Sequence, residues 1–368
     1  MDSLPNVEFC INDGVADHLY IPGYDLKEQC RNAIRYLDCR NGSRCFHEKH
    51  LRILAERSAD LLTLCHEWIT QMIEGHNHEI RLNFTDGTRC AARAQRDPLS
   101  GSDKKYSAID INLGSIPVLF GCANRIKLII EDDLSASGFV VQHLKNWCPD
   151  SDPVGVLAFD MDEPFDSDYE IVLDAIQLMY FHEVSHLLLG HLYFPVFGQP
   201  SHVDFYRYWR TAESEADCRA GWLFMAFHSG RFGSDKLLVH SSSAKSIVRR
   251  LMLAGMSNYL SIQLLYESKP EAQRYYLPPT RLLHVVAGAN WARTQMGVGL
   301  TDSSIMELLT RYQIATEFAF SDLLPNWIST GSDEANEDLR KHLAENPSLM
   351  TDVMSATLKH RKFKWTFS

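Results

Sequence analysis

The segment from Ile171 to Phe194 constrains the fold more than any other part of this chain. It carries Ile171, Val172, Leu173, Ile176, Leu178, Met179, Tyr180, Phe181, Val184, Leu187, Leu188, Leu189, Leu192, Tyr193 and Phe194. At helical spacing these residues cover nearly every face, which predicts a buried helix rather than one with a solvated side. Ser167 followed by Glu170 forms a capping-box pattern at its start, and Pro195 predicts its stop. Set into this apolar rod is His182-Glu183-Val184-Ser185-His186, the pattern H-E-x-x-H. The two histidines lie one turn apart on one face, so both imidazoles reach one metal ion, and Glu183 leaves the same turn. Burying such groups unpaired costs several kcal/mol each, and a divalent cation offsets that cost. Glu183 is then placed to hold a metal-bound water and take its proton.

A third ligand is needed. The pattern H-E-x-x-H-x-x-G-x-x-H would require Gly and His where this chain has Leu189 and Leu192. His191 sits roughly 140° round a helix from His186, at ~100° per residue, and reads as a supporting or core histidine rather than a ligand. The better candidate lies in Thr211-Ala212-Glu213-Ser214-Glu215-Ala216-Asp217. Glu213 and Asp217 are i, i+4 on one helix face, whereas Glu215 points about 200° away from Glu213 and reads as a solvated acidic position. Glu213 completes a His2Glu set with a fourth zinc position left for water, and Asp217 accepts the free ring N–H of a ligand histidine. Ala216 and Ala220 are small enough to bring this second helix close to the first.

H-E-x-x-H followed by E-x-x-A-D resembles the gluzincin metallopeptidases. The resemblance implies zinc ligands His182, His186 and Glu213, the general base Glu183, and Asp217 as the residue orienting a ligand imidazole. The fuller wording, H-E-x-x-H-x-x-x-G-H with E-x-E-A-D, resembles soluble bacterial metallopeptidases of the Lit phage-exclusion type and, more loosely, the ImmA/IrrE type. It covers residues 180–225 only. A Lit-type resemblance implies a defence role, in which a host translation factor is cleaved when infection supplies an activator.

Composition bounds the rest. A 368-residue chain with 45% hydrophobic and 23% charged residues has the make-up of a globular protein. A formal net charge of −11 argues against nucleic acid as the main partner and is compatible with a protein or peptide substrate. No run reaches the ~18 apolar residues that span a bilayer, and Met1 to Glu8 show no leader pattern, so the expectation is a cytoplasmic protein without membrane contact. The 9 cysteines, with no C-x-x-C, read as reduced core residues.

In chain order, helices are predicted at Leu26–Cys39 and His47–Glu74. His47, His50, His66, His76 and His78 read as surface or capping residues. The period then changes. Ile80, Leu82 and Phe84 alternate with polar residues, Asp86-Gly87 predicts a hairpin turn, and Cys90, Ala92 and Ala94 resume the alternation. Further strands are predicted at Tyr106–Leu113, Arg125–Glu131 and Val154–Phe159. Pro195 to Arg210 reads as a long loop, a rim or lid over the cleft, in which His202, Tyr206 or Tyr208 donates to an oxyanion. Asp235–Glu267, Pro279–Gln295 and Thr301–Leu324 read as helices carrying core stripes, with His240 and His284 structural, and a final helix pair follows Ser329–Asn336. The basic tail from Lys359 to Trp365 reads as a solvated helix end.

These readings combine into an α+β, zincin-like fold. Residues 1–165 form an α+β N-terminal part with a small mixed or antiparallel sheet, one edge of which holds a peptide by strand addition in zincins. Residues 166–368 form the active-site helix and a mainly helical C-terminal part, together one catalytic unit. The expected activity is zinc-dependent hydrolysis of a peptide bond, with one zinc ion per chain. Two rivals stand beside it: a zinc-stabilised regulatory or sensor protein without turnover, whose fourth position a side chain fills, and a metal-dependent hydrolase of a non-peptide bond.

Overall fold

A computed structural model describes residues 48–72, 78–85, 91–96, 105–116, 119, 166–193, 205–229, 244–266, 276, 278–297, 301 and 303–310, with isolated helical positions at 337, 340, 341 and 344. The elements are α1 (Glu48–Met72), β1 (His78–Thr85), β2 (Ala92–Arg96), β3 (Lys105–Asn112), α2 (Asp166–Leu188), α3 (Phe205–His228), α4 (Ala244–Tyr266) and α5 (Pro278–Gln295). The described fold is mixed α+β, mostly helical, with a small three-stranded sheet. The expected helix Leu26–Cys39, the strands Arg125–Glu131 and Val154–Phe159, His47, His76, His202, His240 and the basic tail lie outside the described residues.

The sheet runs β1-β3-β2. β1 pairs parallel with β3, from His78↔Lys105 to Thr85↔Asn112, and β2 pairs antiparallel with β3, from Ala92↔Ile111 to Arg96↔Ser107. This corrects the hairpin expected at Asp86-Gly87: the chain does reverse between β1 and β2, but β3 takes the place between them. β3 suits that central place, since Ile109 and Ile111 are fully buried. Ile80, Phe84, Ile109 and Ile111 join the helical core on one face. On the other face, Asn83 Nδ2 donates to Asp110 Oδ1 (2.9 Å), Gln95 Nε2 to Asp110 Oδ2 (2.6 Å) and Thr85 Oγ1 to Asn112 Oδ1 (2.6 Å). A buried Asp110 is thereby satisfied by its cross-strand neighbours.

α2 is the axis of the molecule and contacts α1, α3, α4 and strands β2 and β3. Its near-continuous apolar surface has partners on most sides. Phe181 meets Trp68 of α1 and Phe227 of α3 edge-on, with ring centroids 6.0 Å away in each case. The helix begins at Asp166, so Ser167 lies inside it, and it ends before the expected stop at Pro195. Gly190, at φ 75°, turns the chain out of the helix, and Gly190 N–H reaches back to Leu187 O (3.2 Å). Only glycine adopts that backbone without strain, so the helix closes there and a 3-10 turn, His191–Tyr193, follows. His66, expected at the surface, instead bonds the buried Tyr180 hydroxyl through Nδ1 (2.9 Å).

The loop expected from Pro195 to Arg210 is corrected at its C-terminal end only; residues 195–204, where most of the expected rim or lid falls, lie outside the described residues. Helix α3 starts at Phe205, so Tyr206, Tyr208 and Trp209 are helical. The reason lies in the chain itself: after Pro200 no Gly or Pro interrupts the sequence until Gly221. α4 is tied to α2 by Arg250, whose Nε donates to Asp174 Oδ2 (2.7 Å), and by Asn258, whose Nδ2 donates to Ala175 O (2.8 Å).

α3 and α5 pack backbone to backbone. A Cβ at Gly221 would lie 1.9 Å from Val285 O, and one at Gly288 would lie 1.7 Å from Cys218 O. Two facing glycines thus set the closeness of this crossing. The helix at 303–310 is capped by Thr301, whose Oγ1 accepts from Ser304 N–H (3.2 Å). Cys65 and Cys218, the described cysteines, are free thiols, and no described helix is long and apolar enough to cross a membrane.

Candidate metal centre

His182 and His186 project from α2 toward Glu213 of α3. His182 Nε2 lies 3.1 Å from His186 Nε2 and 3.1 Å from Glu213 Oε2, while His186 Nε2 lies 3.3 Å from Glu213 Oε1. Among the described residues this is the group whose donor atoms could hold a metal ion. A tetrahedral ion bound at ~2.0–2.1 Å spaces its ligand atoms by about 3.3–3.4 Å, close to the separation of the two Nε2 atoms and of each from its nearer Glu213 oxygen, Oε2 for His182 and Oε1 for His186. Two imidazole nitrogens and a carboxylate oxygen are also a donor set suited to zinc and other first-row divalent metals.

Asp217 stands one turn beyond Glu213, as its spacing predicts, and its Oδ1 lies 2.8 Å from His182 Nδ1. Holding the proton on Nδ1 leaves the Nε2 lone pair of His182 facing the triangle. Burial favours the neutral form of His182, but Asp217 and Glu213 outweigh it and hold the metal-free imidazole's pKa at about 10. Burial likewise opposes the Asp217 charge, yet Arg281 and His182 bring its pKa to about 2. Against the same burial, His186 and His182 keep the Glu213 carboxyl well below its ordinary range. The carboxylates are therefore charged, and without a metal a proton on His182 balances them.

Sequence reasoning missed what surrounds this set. Arg281 of α5 donates from Nε to Asp217 Oδ2 (2.8 Å), and from NH2 to Asp217 Oδ1 (2.9 Å) and Glu213 Oε2 (3.1 Å). The Tyr259 hydroxyl of α4 donates to Asp217 Oδ1 (2.9 Å) and its ring lies under the Arg281 guanidinium. The one available signal was an arginine inside the apolar stripe of Pro279–Gln295, and it points to no partner. Glu215 corrects a further expectation: it is not on a solvated face but mostly buried, with Oε2 3.0 Å from His191 Nε2. His191 is buried beside His186 and lies outside the donor triangle. Trp209 stacks on the His186 ring at 6.2 Å between centroids.

Glu183 leaves α2 on the side of β2, and its Oε2 accepts the Ala94 N–H at 2.7 Å. Its carboxylate and His182 are partly exposed, whereas His186 and Glu213 are buried, so the triangle opens on the Glu183 side. Of the residues expected to stabilise an oxyanion, Tyr208 is half-buried near the start of α3, while the Tyr206 side chain and His202 lie outside the described residues. No protein-family model, curated protein or solved structure matches the chain.

Proposed function

We propose that this chain is a zinc metallopeptidase of the gluzincin type, with a zincin-like arrangement of sheet and helices. The observation that carries the reading is the His182–His186–Glu213 group with Glu183 on the same helical turn, beside the outer edge of β2, with which no described strand pairs. When bound, zinc supplies Lewis-acid polarisation of water and of a carbonyl group. Glu183 takes the proton of the attacking water on its carboxylate and later delivers it to the leaving amine. Asp217 and Arg281 keep the His182 ring and the Glu213 carboxylate in place throughout.

The strand edge supports a peptide substrate. Asn112 N–H donates to Ala91 O, and with the register of β2 on β3 this turns the backbone groups of residues 91, 93 and 95 toward β3. Ala92 and Ala94 therefore present their N–H and C=O groups outward, and among the described residues no strand pairs with that edge. An extended peptide adds to such an edge through main-chain hydrogen bonds, competing with Glu183 for the Ala94 N–H. The rival sensor reading needs a fourth protein ligand, His191 or another side chain, and His191 is engaged by His186 and Glu215 instead.

The test is purified wild type beside Glu183→Gln, with zinc content measured and a cell lysate searched by mass spectrometry for new peptide termini. Both proteins should hold one zinc ion, and E183Q should lose about 10²–10⁴-fold in cleavage. Undiminished cleavage by E183Q would refute the role given to Glu183. A zinc-loaded wild type that releases no new termini would favour the non-catalytic sensor. The anti-phage role implied by the motif resemblance is a separate proposal, tested by whether cells expressing wild type, but not E183Q, block phage growth.

A further inference from the structure

Asp217 orients His182 directly, but among the described residues no carboxylate stands behind His186. Its Nδ1 faces another imidazole, His191 Nδ1, at 2.9 Å, and the far nitrogen of that ring, Nε2, lies 3.0 Å from Glu215 Oε2. Resting on the metal-site part of the proposed function, we infer that His191, set by Glu215, is the positioning residue for the ligand His186.

Proton counting carries the inference. Between two Nδ1 atoms at hydrogen-bond distance only one proton fits, so one ring donates and the other accepts. Glu215 is an acceptor and draws the His191 proton to Nε2, which leaves His191 Nδ1 bare. His186 must then carry its proton on Nδ1 and present the Nε2 lone pair to His182 Nε2 and Glu213 Oε1. With the opposite tautomer of His191, the His186 proton would move to Nε2, into the triangle, where it blocks a ligand bond. A single acceptor could not fail in this way. A histidine can, and the carboxylate on its far side prevents it.

The local sequence builds the arrangement. Gly190, at φ 75°, ends α2 and turns His191 back over the last helical turn, where the ring packs against His186 with centroids 5.0 Å apart. Glu215 comes from α3, two residues from each of Glu213 and Asp217. One short stretch of α3 thus supplies a ligand and the carboxylates that fix both ligand imidazoles, Asp217 by contact and Glu215 through His191. Both members are shielded from solvent: His191 is buried, and the Glu215 side chain is 13% exposed.

Zinc affinity of the full chain, measured by competition with a chromophoric chelator, tests this apart from any activity. His191→Phe keeps the ring's bulk and removes the acceptor, and should weaken zinc binding about 10–100-fold. His191→Asn returns an acceptor oxygen at the Nδ1 position and should restore binding to within about threefold of wild type. Glu215→Ala should weaken it at least about threefold by freeing the tautomer. Long-range ¹H–¹⁵N NMR of the zinc-loaded wild type should show His191 neutral with its proton on Nε2, and His186 protonated on Nδ1. If H191F fails to fold, E215A and the tautomers decide.

Wild-type affinity in H191F or in E215A would overturn the inference. So would an equal loss in H191F and H191N, or an Nδ1 proton on His191. A wild type that binds no zinc would remove the metal site itself, and this inference with it; zinc-binding wild type with unaffected variants would remove the positioning role alone.

Discussion

Asp217→Asn removes one buried negative charge while keeping the side chain's shape, and the contacts around it set the size of the effect. The carboxylate serves four polar contacts: His182 Nδ1 at 2.8 Å, the Tyr259 hydroxyl at 2.9 Å, and Arg281 through Nε at 2.8 Å and NH2 at 2.9 Å. An amide keeps one acceptor oxygen but turns an N–H toward donors that had an oxygen before. Arg281, buried, is left with Glu213 Oε2 at 3.1 Å as its remaining carboxylate oxygen in this group. Leaving a buried ion without its partner costs about 3–5 kcal/mol, and the surviving acceptor places D217N near the lower end. That corresponds to a fall in Tm of about 4–5 °C for a chain of this size. His182 also loses the acceptor that fixes its ring, so zinc affinity should fall about 10–100-fold. Urea denaturation in the presence of a chelator reads the first effect, and chelator competition reads the second. D217N within about 1 kcal/mol of wild-type stability would refute the argument that this ion cluster supports the fold. Unchanged zinc affinity would refute the orienting role.

The metal-free protein should respond to pH in a stated direction. His182 has its folded pKa raised from 6.5 to about 10, so its contribution to stability is complete below pH 6.5 and is lost as pH rises through 10. Zinc must displace that proton, so its affinity should rise about tenfold per pH unit between pH 7 and 9, and a flat dependence would contradict the charge balance drawn for the site. Acid should act through His228, whose burial, with nearby Arg250, holds its pKa at about 3. The unfolded chain protonates this residue near pH 6.5 and the native one does not, so its share of stability is lost as pH falls from 6.5 toward 3; His228→Gln should flatten that part of the stability profile. Gly288→Ala places a Cβ 1.7 Å from the Cys218 carbonyl oxygen, a backbone atom that cannot turn aside. Forcing α3 and α5 apart should cost more than the roughly 1–3 kcal/mol of ordinary overpacking and outweigh the ~1 kcal/mol gained in helix propensity. A G288A variant with a Tm within about 2 °C of wild type would refute the tight crossing.

Much of the candidate site was legible in the amino-acid sequence because its core lies on two helices. A helix has one period, so H-E-x-x-H put His182, Glu183 and His186 on adjoining faces of one turn, and four-residue spacing put Glu213 and Asp217 together. An apolar surface on every side likewise marked α2 as the central helix. The glycine that ends it was visible in the sequence but was passed over for Pro195, because Gly190 ends a helix only through the φ it adopts.

The order of the strands was another matter. Local turn chemistry pointed to β1 beside β2, but the more apolar β3 competes for the central position, and that competition is settled over the whole sheet. Arg281 reaches Asp217 across 64 residues of chain, and Tyr259 reaches it across 42. Glu215, on the face that spacing assigns to solvent, is covered because His191 folds back past Gly190 to meet it. Periodicity relates side chains within one element, and by itself it determined which residues can face a metal. Which charges support them depends on how separate elements cross, and that crossing is set by packing between surfaces, down to two glycines that bring bare backbones together.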